Sequence, residues 1–160
     1  MELAKKKAAK VKKGISRNAG TKEKTIPANN IIGNVEKWSI HQKIDIVESG
    51  ISKSQLEEVK KQTGLDYEVL SNILAVTKAT LHNKKGNEKF NANVSERILL
   101  LADIYAYGIE VFGTKERFNS WLISNILALG GKKPIERLNT TLGMQEVKQI
   151  LGRIDYGVYS

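Results

Sequence analysis

Residues 93–113 read NVSERILLLADIYAYGIEVFG, and this stretch decides the fold class. Asn93 with Glu96 three residues on makes a helix-start pair, because the first side chain can accept from a free backbone amide while the second reaches back. Val94, Ile98, Leu101, Ala102, Tyr105, Ile109 and Phe112 then recur at the steps of one helix face, and Gly113 supplies the stop. Leu99, Leu100, Ile104 and Tyr107 fall off that stripe. A helix apolar over more than half its circumference is covered on two sides. It is either the central helix of a monomer core or a helix with one side in a dimer interface, and the pattern leaves both open.

Upstream, the spacing predicts a helix over 53–63. Ser52 and Gln55 form a capping box, Leu56 and Val59 repeat at helical spacing, and Gly64 ends the run. Asp66 caps a second helix with the stripe Tyr67, Leu70, Ile73 and Leu74, and Thr77 caps a short third whose Leu81 points to the core. Two short helices meeting across a tight turn, Asp66 to Lys85, are a candidate helix-turn-helix whose last helix enters the major groove of DNA. Thr77, Lys78, Thr80, His82, Asn83, Lys84 and Lys85 are then the DNA-facing residues. Asn83 has the chemistry to read an adenine, and the lysines that to meet phosphate. The plainer reading is a solvated helix end followed by a loop over 84–91.

Downstream of the long helix, Thr114 precedes an amphipathic segment carrying Phe118, Trp121 and Leu122, which Leu129-Gly130-Gly131 is expected to break. Pro134 restarts a helix at its first position, with Ile135 and Leu138 on the apolar side. A last helix is expected after Gly143, with Val147, Ile150, Leu151 and Ile154 as its stripe, and Gly157 closes it. Trp121, Leu151 and Ile154 read first as core. Val158-Tyr159-Ser160 remain as a tail. No alternating run is long enough for a sheet, so the expected class is all-α.

Composition narrows the chemistry. The 160 residues include no cysteine and two histidines, His41 and His82, which stand alone, so thiol chemistry and zinc ribbons are excluded and no metal or cofactor is expected. There is no Gly-x-Ser-x-Gly elbow and no His-Glu-x-x-His, and Gly131-Lys132-Lys133 lacks the spacing of a phosphate loop, so the chain does not read as an enzyme. No apolar run approaches the roughly 18 residues of a membrane helix, and no signal-peptide pattern opens the chain; a cytoplasmic setting is expected. The net charge of +9 is uneven: residues 1–24 hold nine Lys or Arg against Glu2 and Glu23, a net of +7. Residues 1–25 therefore read as a basic, disordered arm, suited either to DNA phosphates or to a flexible tail.

The order Val111-Phe112-Gly113, Trp121-Leu122, Asn125, Leu129-Gly130-Gly131, Pro134, Leu138, Thr140, Gly143, Val147, Leu151, Arg153-Ile154 and Tyr156-Gly157-Val158 resembles the C-terminal toxin-binding domain of the Xre/MbcA/ParS antitoxin family. One departure is a stretch from Asn125 to Leu129 that is one residue longer than the family's Asn-x-x-Leu-Gly-Gly. Residues 50–112 resemble, more loosely, the helix-turn-helix-like domain of the same antitoxins, in Thr80-Leu81 and Ser95-Glu96-Arg97. Where members often carry arginines after the Thr-Leu pair, this chain has His82-Asn83-Lys84-Lys85. The resemblance implies a helix-turn-helix-like DNA-binding and dimerisation domain over 26–113 and a small helical toxin-binding domain over 114–160. It implies an antitoxin, itself no catalyst, that occludes the active site of a cognate RES-domain toxin, an NAD-depleting enzyme similar to ADP-ribosyltransferases. It further implies a homodimer within a larger toxin-antitoxin complex that binds operator DNA and represses its own operon. Arg153, Tyr156, Gly157, Val158, Tyr159 and Ser160 are the expected toxin contacts. The alternative function is a free-standing helix-turn-helix transcription regulator.

Overall fold

A computed structural model describes residues 30–157. The arm over 1–25 and the tail residues Val158, Tyr159 and Ser160 lie outside the described residues. Eight α-helices follow in order: α1 (Ile40–Ser49), α2 (Lys53–Thr63), α3 (Tyr67–Leu74), α4 (Lys78–Asn83), α5 (Ala92–Phe112), α6 (Lys115–Leu122), α7 (Pro134–Arg137) and α8 (Thr141–Asp155). Short 3₁₀ turns precede α1 (Val35–Lys37) and α7 (Leu127–Leu129). Among the described residues there is no strand, only two isolated bridges, Ser52 with Lys89 and Ile126 with Lys132. None of the described helices is long and apolar enough to cross a membrane.

Most helix starts follow local chemistry. Ser39 and Ser52 head full capping boxes with Gln42 and Gln55, and the side chains of Asp66, Thr77 and Thr114 accept from the third amide of α3, α4 and α6. Three boundaries depart from the spacing. The long helix is capped by Asn91, whose side chain accepts from the Val94 amide at 3.0 Å, so its cap lies two residues before Asn93. The Phe90 amide donates to the Ile51 carbonyl at 2.8 Å, which holds the chain extended up to that point, and the helix starts as soon as this tie ends. The amphipathic segment after Thr114 stops at Leu122, well before Gly130, because the chain past Ile123 is extended by Ile126 and Leu127–Leu129 turn separately. The last helix is capped by Thr140, with Gly143 inside its first turn. A β-carbon at position 143 would run into the Arg137 carbonyl, so this glycine serves the close approach of α7 to α8.

α5 is the axis of the molecule. Ile98, Leu101, Ala102 and Tyr105 are wholly buried, and the off-stripe Leu99 and Ile104 are buried as well. Helices α1, α2 and α3 cover it from the N-terminal half, while α6 and α8 cover it from the C-terminal half. Both sides are thus covered within one chain. The α5–α6 contact is aromatic: Tyr105 meets Phe118 edge-on at 5.1 Å, and Phe112 lies 5.4 Å from Trp121. Gly108 makes room for Phe118, because a β-carbon there would overlap the ring.

Polar groups lock the same helix to its neighbours. Asp103, 8% exposed, receives Lys43 of α1 at 3.0 Å and Lys148 of α8. Burial pushes its carboxyl pKa up, but the two ammonium groups outweigh that and hold it below the usual aspartate value. The Tyr105 hydroxyl donates to Asn119 Oδ1 at 2.9 Å, and Asn119 Nδ2 donates to the Thr63 carbonyl at 3.0 Å, joining α5, α6 and the end of α2.

Two outcomes follow from this packing. Gly108→Ala gains about 1 kcal/mol of helix propensity but overpacks Phe118, and a net destabilisation of about 1–3 kcal/mol in urea unfolding is expected; an unchanged midpoint would show that the ring has room to move. Because Asp103 is depressed in the folded state, its contribution is fully present above its unfolded pKa near 4 and is lost as pH falls through the lower folded value. Asp103→Asn is therefore expected to be less stable than wild type by roughly 1–3 kcal/mol at pH 7, with the gap closing below about pH 4, read from paired unfolding curves across pH.

Candidate functional site

The first candidate surface is built from α3 and α4. The turn between them is made by Ala75 in the left-handed region at φ 53°, and the Val76 amide reverses onto the Ser71 carbonyl at 3.1 Å. Thr77 then caps α4, its side chain accepting from the Thr80 amide at 3.1 Å and lying 2.9 Å from the Thr80 hydroxyl. Leu81 is the one α4 residue sunk in the core. The remaining face is open: Thr77, Lys78, Thr80, His82, Asn83 and Lys85 are exposed and Lys84 is half-buried. The structure therefore brings all seven expected DNA-facing residues onto one short helix and its exit.

Several of these side chains already have partners. Lys78 pairs with Glu68 of α3, His82 lies edge-on to Tyr67 at 4.4 Å, and the Lys84 ammonium sits 5.5 Å above the Phe90 ring. Asn83, the last residue of α4, is exposed.

The second candidate surface lies at the other end of α5. Leu138, Met144, Val147 and Leu151 are buried between α7, α8 and α5 and build a platform. Leu151 is core, while Trp121 and Ile154 are half-buried. The Tyr107 hydroxyl donates to Asp155 Oδ2 at 3.1 Å and fixes the end of α8 on α5. On either side of that point Arg153, Tyr156 and Gly157 are exposed, Tyr156 to 82%. Gly157 takes φ 69°, and its amide closes the helix onto the Ile154 carbonyl. The expected contacts Val158, Tyr159 and Ser160 lie outside the described residues.

Three further apolar residues of the C-terminal region are exposed, none of them among the expected contacts. Ile123, Leu127 and Leu142 are 62%, 92% and 78% exposed. Leu142 edges an open hollow of about 630 Å³ shared with Lys132, Arg137 and Glu146. The lengthened stretch after Asn125 is the turn that holds Leu127 out. Leu142 carries a legible signal: it lies five residues before Val147, well off the α8 stripe, and an apolar residue off the buried stripe faces solvent unless another element covers it.

The two surfaces are tied across α5. Arg97 Nη1 donates to the Ile73 carbonyl of α3 at 3.0 Å and to the Asn139 carbonyl ahead of α8 at 3.1 Å. Among the described residues no group of three His, Asp or Glu side chains is placed to hold a metal ion.

Both regions of the chain have counterparts among known proteins. Residues 42–103 match the antitoxin Xre-like helix-turn-helix domain, and residues 108–157 match the antitoxin Xre/MbcA/ParS C-terminal toxin-binding domain. The two matches meet inside α5. The chain belongs to the Xre/MbcA/ParS-type antitoxins. Its curated relatives include the Prs ADP-ribosylating antitoxin of Sphingobium sp. (strain YBL2), 27% identical over 128 residues, or 74% of this chain and 80% of the relative. The antitoxin Xre of Photorhabdus laumondii subsp. laumondii is 32% identical over 76 residues, or 47% of this chain and 51% of the relative. A chain of the crystal structure of the M. tuberculosis MbcT–MbcA toxin–antitoxin complex shares the fold with a TM-score of 0.50 and 19% identity, over 68% of this chain and 96% of that one.

Proposed function

We propose that this antitoxin neutralises a cognate RES-domain, NAD-depleting toxin by occluding its active site, without itself catalysing a reaction, and that it represses its own operon. In this reading residues 114–160 carry the toxin and residues 26–113 the operator. The observation that supports it most is the distribution of uncovered apolar side chains. Of the six large hydrophobic residues left exposed among the described residues, Ile123, Leu127, Leu142 and Tyr156 all fall in the C-terminal region. A folded monomer gains nothing from holding such side chains in water, whereas a partner's cleft gains by covering them. In this reading Arg153 and the closing Tyr156 to Ser160 supply the remaining contacts, because a segment that leaves the platform at the end of α8 can enter a cleft.

Operator binding draws its support from the open face of α4, and its cytoplasmic setting from the DNA it would meet there. The homodimer draws support from α1, where Ile40 and Ile44 lie one turn apart, 66% and 46% exposed. A second copy covering both would bury an apolar strip that this chain leaves open.

Co-expression with the toxin encoded beside it is expected to restore growth and cellular NAD. Deleting Tyr156 to Ser160 is expected to abolish both while helical content is retained, and Leu142→Asp to weaken the complex at least tenfold in a pull-down titration. Full rescue by the truncated chain would take the C-terminal segment out of the mechanism. Ile40→Glu with Ile44→Glu is expected to give a monomer by sedimentation; an unchanged dimer would place that interface elsewhere.

A further inference from the structure

We propose that Lys53, a buried lysine beneath α4 that is not itself one of the DNA-facing residues, is the residue that positions α4 for operator binding. This rests on the operator reading above. Lys53 opens α2 three residues before Leu56, on the core face that continues through Val59 and Thr63, and it is 7% exposed. An ammonium held there without acceptors costs several kcal/mol. It is retained because all three of its N–H donors are used: Nζ reaches the Leu81 carbonyl at 2.6 Å, the Tyr67 hydroxyl at 2.5 Å and Glu57 Oε1 at 2.5 Å. Burial pulls the ammonium pKa down, but the bonds to Glu57 and Tyr67 outweigh it, and Lys53 stays charged.

The partner that matters is Leu81. α4 has six residues, too few to hold a helix alone, and it sinks one side chain, Leu81, into the core. Its C-cap residue Lys84 is extended and makes no closing backbone bond, so the last carbonyls of the helix need donors from elsewhere. Lys53 satisfies one of them and places a positive charge at the negative end of the helix. The same residue also fixes the chain beyond α4, since its amide donates to the Glu88 carbonyl at 2.9 Å, next to the Ser54 amide bond to the Gly86 carbonyl. Its ammonium lies 4.4 Å over the Tyr67 ring, the ring against which His82 packs. Lys53 thus sets the last turn of α4, its exit loop and one of its exposed side chains at once, without reaching DNA itself.

A positioning lysine and a phosphate-binding lysine differ in salt dependence. Removing a lysine that neutralises one phosphate lowers the slope of log affinity against log salt by about one, whereas displacing a recognition helix lowers affinity at every salt. The test uses full-length antitoxin and a duplex spanning the region upstream of its own gene. Lys53→Met is expected to weaken binding at least tenfold with an unchanged salt slope, to speed amide exchange over α4 while the backbone-held exit loop keeps its protection, and to leave toxin rescue intact. Lys85→Ala, the comparison, is expected to lower the slope by about one. Wild-type affinity in Lys53→Met, or a slope reduced as in Lys85→Ala, would overturn the proposal. Where wild type itself does not bind the duplex, the operator reading falls, and exchange decides Lys53 separately: unchanged protection over α4 overturns it. Lys53→Gln, which keeps a shorter N–H donor, replaces the methionine variant if that variant loses helical content, with the same outcomes expected.

Discussion

A helix that is apolar over more than half its circumference must be covered on two sides, and that requirement on α5 organises the rest of this antitoxin. One set of helices meets it from the N-terminal side and another from the C-terminal side, so neither set has a complete core without α5. Packing alone would let the two sets slide along a smooth apolar cylinder. Asp103, Arg97 and the Tyr105–Asn119 pair prevent this, because each joins α5 to a named group on a neighbouring helix at hydrogen-bond distance. These groups are buried or half-buried, so breaking one leaves a polar atom without water, which is the energetic reason that register is held.

The two candidate surfaces lie where this scaffold is thinnest. α4 contributes one core side chain, and the segment after α8 contributes none among the described residues. Both are held by polar contacts at their base, Lys53 under α4 and Tyr107 under the end of α8, leaving the outward faces free. Binding residues set on short elements above a rigid support need not also build the core.

Much of the fold was readable because helix starts are local. Ser52, Asp66, Thr77 and Thr114 act where their side chains alone dictate. The start of α5 was not, because Asn91 and Asn93 are equally good caps in isolation. The choice was made by the Phe90–Ile51 bond, a contact between residues far apart in sequence. Gly143 misled in another way: a glycine beside a helix start reads as a break, but here it is demanded by the Arg137 carbonyl packed on it. At the candidate surfaces, the exposure of the α4 residues was legible from the turn pattern, and that of Arg153 and Tyr156 from their place at the end of the last helix. Ile123 and Leu127 were not, since only the folded chain shows which apolar residues its neighbours fail to cover. Lys53 was partly legible, since it falls on the Leu56 face of α2, but a lysine in a first turn is ordinary and its buried acceptors come from other helices.

The meeting of both family matches inside α5 has a consequence for how such antitoxins diversify. A crossover at the loop after Phe112 would deliver a C-terminal module whose helices meet a foreign α5, with Gly108 and Phe118 no longer matched to each other. A crossover in the exposed stretch between α4 and α5 carries α5 along with its C-terminal partners, but exchanges the cover on its other side. Neither cut leaves both faces matched, so exchange of partner specificity by wholesale shuffling is disfavoured. Substitution at the uncovered positions, Leu127, Leu142 and Tyr156, alters the surface without touching the axis.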